Sequence, residues 1–364
     1  MKLPNRLSAS VHRLTAPLKQ RILECRIAAT AAGMPTRVAI TGRVRPPDVA
    51  ETVIAIHKDR GRIRVIEGDA GWLASRKGFS TAWRRLPAIL DVVGDGAWAA
   101  DLADWVHPPG EVIGFCSRHR DSLLVPDRGF HASRGYESER RRAAAAPRFE
   151  DRDPRIVWRG SPTGQGHSLV DPLTADDPAL IQRVRMCLRM RDDPLTDRGD
   201  ADLRIVVTDA LSRQQVEAYR RAGIAGPHVA QASWSGRRYA IDIDGHANAF
   251  SNFFLRLLYG CCVIKVASPL GFRQWYYDRL VPWEHFVPVV ADLGDLAETL
   301  AWCLSHAREC RRIAAAGQRV ALAMTHAGER RQAVEMLAAR HESAHVIRIG
   351  ESIGGDRRSH RRAA

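Results

Sequence analysis

The chain has 364 residues, with 45% hydrophobic and 26% charged side chains. That is the balance of a globular protein with a core, and it excludes a disordered or fibrous chain. Lys and Arg number 55 against 41 Asp and Glu, a formal charge of +14. Such a surplus favours anionic partners (nucleic acid, acidic lipid, phosphorylated substrates) without choosing among them, and is equally the mark of an Arg-rich genome.

At this length two domains are expected. Cysteines 25, 116, 187, 261, 262, 303 and 310 contain no Cys-x-x-Cys pair. They argue against a disulfide framework and a structural zinc site, and suit a reducing compartment. No apolar run reaches the length of a membrane span, and the N-terminus lacks the pattern of a cleaved signal peptide. A cytoplasmic location is therefore expected.

Residues 1–33 read as a basic amphipathic helix. Leu3, Leu7, Val11, Leu14, Leu18 and Ile22 recur at three- and four-residue spacing, and Pro17 breaks or kinks the run. The helix either lies on an anionic membrane or packs on the body of the protein. Strands are predicted at Arg37–Thr41, Ile63–Glu67 and Ile89–Val93, with a helix over Asp48–Arg60 and short apolar runs at Val112–Cys116 and Leu123–Val125. An Arg- and Ala-rich stretch between Ser133 and Pro154 suits a boundary. Strands then follow at Ile156–Trp158, Leu203–Thr208, Tyr239–Ile243, Cys262–Val266 and Phe286–Val290. Helices fall at Asp177–Met190, Ser212–Ala222, Ala249–Tyr259, Leu293–His306 and Glu309–Leu322. This alternation implies a parallel, doubly wound sheet. The polar tail Gly354–Ala364 reads as disordered.

Several constellations carry chemistry. Arg159-Gly-Ser-Pro-Thr-Gly-Gln-Gly166 follows a strand, and its amides, hydroxyls and guanidinium suit a diphosphate. It is neither a Walker A loop nor a dinucleotide fingerprint, and an ordinary surface turn explains it as well. Asp242 and Asp244 near a strand end either hold a divalent metal or form the turn into a helix. His285 reads as structural, and Trp275, Tyr276, Tyr277 and Trp283 serve either base stacking or core packing. Asp95, Asp101 and Asp104 cluster beside Trp98 and Trp105, where one carboxylate suits a general base. The polar loop Ser117–Ser122 offers Arg and His to phosphate or sugar hydroxyls.

Taken together, Val157-Trp-Arg-Gly-Ser-Pro-Thr163, Tyr239-Ala-Ile-Asp-Ile-Asp-Gly245, Val263-Ile-Lys-Val266, the long Gln274–Val289 block and Ala291–Leu296 resemble glycosyltransferase family 90, the Rumi-type protein O-glucosyltransferase and capsule-associated family. The resemblance covers about the second half of the chain, and the missing signal-peptide pattern, the scattered cysteines and the basic N-terminus suggest a bacterial-type member. It implies an α/β protein of the GT-B kind, two Rossmann-like domains facing a central cleft. It also implies inverting, metal-free transfer from a nucleotide sugar, UDP-linked, to a glycan or glycolipid hydroxyl in lipopolysaccharide or capsule synthesis. No cofactor is implied beyond that substrate.

On that reading residues 37–145 form the acceptor domain and 146–340 the donor domain. The segment 1–36 precedes them, and a basic tail, 341–364, follows. Donor-diphosphate contacts fall on Arg159, Gly160, Ser161, Thr163, Asp244, Gly245, His246, Ala247, Asn248, Ser251 and Arg256. Family members carry Arg or Lys just inside the helix after Gly245, where this chain has Ser251 and Asn252, with Arg256 a turn later. The implied base is Asp104, followed by Trp105, with Asp101 as rival. The UDP-sugar, the acceptor and an anionic membrane surface are the expected partners, and nucleic acid is not. The competing class is a non-catalytic basic anion- or nucleic-acid-binding α/β protein, which the charge alone supports.

Overall fold

A computed structural model describes residues 15–30, 37–42, 51–67, 72–73 and 75–341. Leu3 to Leu14 and the tail beyond His341 lie outside those residues. The chain is α/β and divides into two compact units, Met1–Gly135 with Thr325–Ala364, and Tyr136–Met324.

The first unit is built on β1 (Arg37–Gly42), β2 (Val53–Asp59), β3 (Arg62–Glu67), β4 (Gly96–Asp101), β5 (Ile113–Gly114) and β6 (Leu123–Leu124), in the order β1-β3-β2-β4-β5-β6. β2 is antiparallel to both neighbours, and the remaining adjacent pairs are parallel. The helix expected over Asp48–Arg60 is thus a strand over its described part. The run Thr52-Val-Ile-Ala-Ile56 is rich in β-branched residues, which favour a pleated surface. Arg60 and Gly61 both take positive φ, 36° and 81°. That is the two-residue turn whose twist matches a hairpin, so β2 and β3 pair. The strand expected at Ile89–Val93 is instead the end of helix Arg76–Leu90 and the turn after it. Ser75 caps that helix, its hydroxyl accepting from Gly78 N at 3.0 Å.

Helix Ala16–Thr30 packs on the first unit. Gln20 Nε2 donates to Ile40 O at 2.9 Å, and the Arg26 guanidinium lies 4.9 Å from the Trp83 ring centre. Its buried face is Lys19, Leu23 and Ile27, one residue out of step with the expected apolar stripe, so Leu18 is exposed. Pro17 does not break it, because it sits in the first turn, where no intrahelical N–H is needed.

The second unit carries two parallel ladders. One is ordered Ala225–Gly226 (β9), Ala201–Val206 (β8), Ile156–Gly160 (β7), and the other Tyr239–Asp242 (β10), Cys262–Val266 (β11), Val287–Val289 (β12). The parallel bridge Asp153–Arg237 brings β7 and β10 side by side. In space the strands run β9-β8-β7-β10-β11-β12, so chain order reverses between β7 and β10. Open α/β sheets hold their ligand crevice at such a reversal, beyond the carboxyl ends of the strands. The loops that leave there are Ser161–Gly166 and Ile243–Phe250. Every residue of β11 is buried, and Ile156, Ile205, Ile241, Ile264 and Val287 share one core. Each fully buried aliphatic side chain contributes about 1.5–3 kcal/mol. Cys261 and Cys262 sit in this interior as small apolar groups.

Candidate functional site

At the end of β10 three charges meet. Parallel pairing sets Asp242 beside Lys265, and Lys265 Nζ lies 2.8 Å from Asp242 Oδ2 and 2.9 Å from Asp244 Oδ1. Asn252 Nδ2 donates to Asp242 Oδ1 at 2.8 Å, and Asn248 Nδ2 to Asp244 Oδ1 at 3.2 Å. All three charged groups are buried. Burial alone would lower the lysine pKa, but the two carboxylates raise it above its ordinary value. Burial likewise works to raise that of Asp244, and Lys265 carries it down. The pair read from spacing as metal ligands or a turn is therefore a charge-compensated buttress under the turn into helix Ser251–Leu258.

Arg183, which the sequence reading passed over, ties the two crevice loops together. It stands in the first turn of helix Gln182–Arg191. Its Nε donates to Asp244 O at 2.9 Å and its Nη2 to Ile243 O at 2.9 Å. Nη1 donates to Ser161 O at 3.1 Å and to Thr163 Oγ1 at 2.9 Å. Burial lowers its pKa, and the coulombic pull of Asp242 and Asp244 opposes that fall. Gln165 Nε2 adds a bond to His246 O at 3.1 Å. Gly245 lies under this clamp, where a β-carbon would come within 2.9 Å of Thr163 Oγ1 and 3.2 Å of Arg183 Nη2. No local periodicity marks Arg183, since its four acceptors stand 20 to 61 residues away.

Ser161, Thr163, Asp244, Gly245, His246, Ala247, Asn248 and Ser251 thus fall on two stitched loops and the helix entry they lead to. His246 is exposed, Ser251 half-buried, and Ala247 and Asn248 buried. Phe250 enters the helix with φ 45° and ψ −113° and supplies no side-chain cap, and the positive end of the helix dipole lies at this entry.

Gly160 closes β7 with its α-carbon packed on the Trp158 ring. Arg159 lies apart. Its guanidinium is committed to an ion pair with Asp202 and to the carbonyls of Trp158 and Asp202, at 2.8 and 2.7 Å. Arg256 lies apart as well, in the last turn of the helix. Five residues from Ser251 amount to roughly 7.5 Å along the axis. There Arg256 stacks 3.9 Å from the Trp234 ring centre, and burial lowers its pKa to about 10.

His285 accepts from Val281 N at 2.9 Å through Nδ1, a structural use. Tyr276 is buried among the rings of Phe253, Phe254, Trp275 and Tyr277. Among the block's aromatic residues Trp283 is exposed, against Trp302.

In the first unit the end of β4 carries a second polar group. Asp101 is fully buried: Oδ1 accepts from Ala103 N at 2.9 Å, and Oδ2 from His107 N at 2.9 Å and His107 Nδ1 at 2.8 Å. With both oxygens engaged inside the protein, Asp101 orients its neighbours and has no face toward a substrate. Asp104 is half-exposed and ion-paired with Arg85. His107 is the residue missed here. Its bond to Asp101 raises its pKa, against the effect of burial, and its ring lies 4.9 Å from that of Trp105. An imidazole fixed by a buried carboxylate on one nitrogen, on a side chain about a third exposed, can move a proton.

Residues 134–327, just over half of the chain, match the family model for glycosyl transferase family 90. Over 192 residues the chain is 31% identical to uncharacterized protein 027R of Frog virus 3 (isolate Goorha), covering 50% of this chain and 19% of that one. It is 33% identical to protein O-glucosyltransferase 2 of Danio rerio over 94 residues, 26% of this chain and 18% of that one. The chain spans less than a fifth of the length of these curated relatives. Among solved structures, HepE of Anabaena in complex with UDP-glucose is similar at 12% identity and TM-score 0.38, over 73% of this chain and 70% of that one. A likeness that loose bears on neither arrangement nor ligand.

Proposed function

The chain belongs to glycosyl transferase family 90, and from that premise we propose that it moves a sugar from a UDP-linked donor to a glycan hydroxyl, inverting the anomeric carbon. One observation carries the reading. The family match at 134–327 spans the whole of the unit Tyr136–Met324, and that unit holds the stitched loops at its strand-order reversal. The names of the protein O-glucosyltransferase relatives favour UDP-glucose or a similar hexose or pentose donor.

In this proposal the donor diphosphate takes the N-terminus of helix Ser251–Leu258, where the helix dipole favours an anion. Thr163 accepts from Arg183 yet keeps its own O–H to donate. Ser161 and Ser251 supply two more hydroxyls. Arg183 and the Lys265 buttress hold these donors still, so that leaving-group charge meets a preorganised site. Because Asp242 and Asp244 are engaged by Lys265, the reading assigns them no metal.

Asp104 takes the acceptor proton as that oxygen attacks the anomeric carbon and the bond to the diphosphate breaks. Asp101 leaves the list of candidate bases, and His107 replaces it as the alternative. A glycolipid or glycan of lipopolysaccharide or capsule synthesis, met at the inner membrane face, is the acceptor class we favour.

The test is a donor screen of UDP-glucose, UDP-xylose and UDP-galactose by calorimetry, with donor hydrolysis as the activity readout. Binding of one UDP-sugar and its slow hydrolysis are expected. Failure to bind any nucleotide sugar overturns the reading.

A further inference from the structure

Away from those groups, the first unit gathers a carboxylate and two imidazoles. Asp91 follows helix Arg76–Leu90, His131 lies on helix Arg128–Ala132, and His326 opens helix His326–His341. One ligand atom from each lies within 4.8 Å of the other two, and all three residues are partly buried. His131 Nε2 and Asp91 Oδ2 are 3.5 Å apart. Two corners of a tetrahedral zinc site with bonds of about 2.0–2.1 Å stand roughly 3.3 Å apart. Two nitrogens and one oxygen are a ligand set for zinc-like ions. It contains no cysteine, which is why the cysteine pattern gave no hint of it.

We propose that Asp91, His131 and His326 bind one Zn²⁺ ion, with the fourth position open to water.

The surroundings set the terms. The Asp91 carboxylate meets both His131 and Arg330. Arg330 Nε lies 3.0 Å from Asp91 Oδ2 and is the cation that zinc must displace. Half its side chain is exposed, so it can swing outward.

The site has a structural purpose. The chain leaves this unit after Gly135 and re-enters at Thr325, and a β-carbon on Gly135 would lie 3.0 Å from His326 N. An ion here pins the re-entering helix to the residues beside the exit point. The inference stands independently of the proposed glycosyl transfer.

Full-length protein stripped with EDTA is titrated with Zn²⁺ by calorimetry. One equivalent is expected, with loss of that binding in His131→Ala and in His326→Ala. Arg330→Met, which leaves the ligands intact, is expected to bind Zn²⁺ more tightly. X-ray absorption of the zinc-loaded wild type is expected to show nitrogen and oxygen neighbours including two imidazoles, a reading that needs no variant to fold. Absence of stoichiometric binding, binding that survives both histidine substitutions, or a sulfur-ligated spectrum overturns the proposal.

Discussion

Lys265 and Asp242 face one another from adjacent parallel strands, Nζ 2.8 Å from Oδ2, with both side chains closed off from solvent. Removing one member of a buried pair leaves the other charge unpaired, which costs about 3–5 kcal/mol. Lys265→Met strands two carboxylates. Its unfolding free energy, read from urea denaturation, should fall by an amount within that range, and double replacement with Asp242→Asn should recover part of the loss.

The same cluster fixes a pH dependence. The Asp244 pKa is lowered from its ordinary 3.8, so its contribution to stability is full above about pH 4 and disappears as pH falls through the folded value. The Lys265 pKa is raised from 10.5, so its contribution is full below about pH 10.5 and is lost only as pH rises through a still higher value. Urea denaturation across pH 2–5 should show the acid loss in the wild type and a smaller slope in Asp244→Asn.

Gly245→Ala places a methyl group against Thr163 and Arg183. Overpacking of this kind costs about 1–3 kcal/mol. Because the clamp shapes the loops, UDP affinity should fall about tenfold or more while the secondary structure is retained, read by calorimetry and circular dichroism. Arg159→Gln serves as the control. It should lower stability through loss of the Asp202 pair and leave UDP affinity unchanged.

The acid–base assignment separates kinetically. Replacing the true base should lower kcat by about 10²–10⁴ with UDP binding retained. The expectation is that Asp104→Asn does so and His107→Gln does so less. If His107 is the base instead, activity rises with pH through an imidazole pKa above 6.5, and Asp101→Asn shifts that limb to lower pH by removing the partner that stabilises the imidazolium. A limb that does not move in Asp101→Asn rules His107 out.

Legibility in the sequence followed the range of the interactions. Five of the second unit's strands announced themselves as short apolar runs, because parallel strands buried on both faces need them, whereas the two-residue Ala225–Gly226 carries no such run. The loops Ser161–Gly166 and Gly245–Phe250 stand out through the family resemblance, since their small and polar residues alone fit an ordinary turn as well. Arg183 does not, since its value lies wholly in distant carbonyls. Spacing alone offered Asp242 and Asp244 to a metal because Lys265 enters only through the register of the next strand. Arg159 and Arg256 were chosen for charge, which says nothing about the partner a guanidinium already has. In the first unit, the helix expected over Asp48–Arg60 gives way to strand Val53–Asp59 because the hairpin signal, Arg60-Gly61, rests on backbone angles more than on residue type. The strand Gly96–Asp101 was not legible either, and with it the distinction between the buried Asp101 and the half-exposed Asp104.

The first unit is interrupted in the chain by the second. During synthesis, residues 136–324 can complete their own core while residues before 136 still wait for the helix His326–His341. That helix carries Leu337, which is fully buried. Nascent chains emerge at about 5–20 residues per second, so the interval amounts to roughly 10–40 s in which the amino-terminal half is unfinished and open to chaperones. A chain halted near residue 324 would therefore release a finished carboxyl unit on an incomplete amino-terminal one.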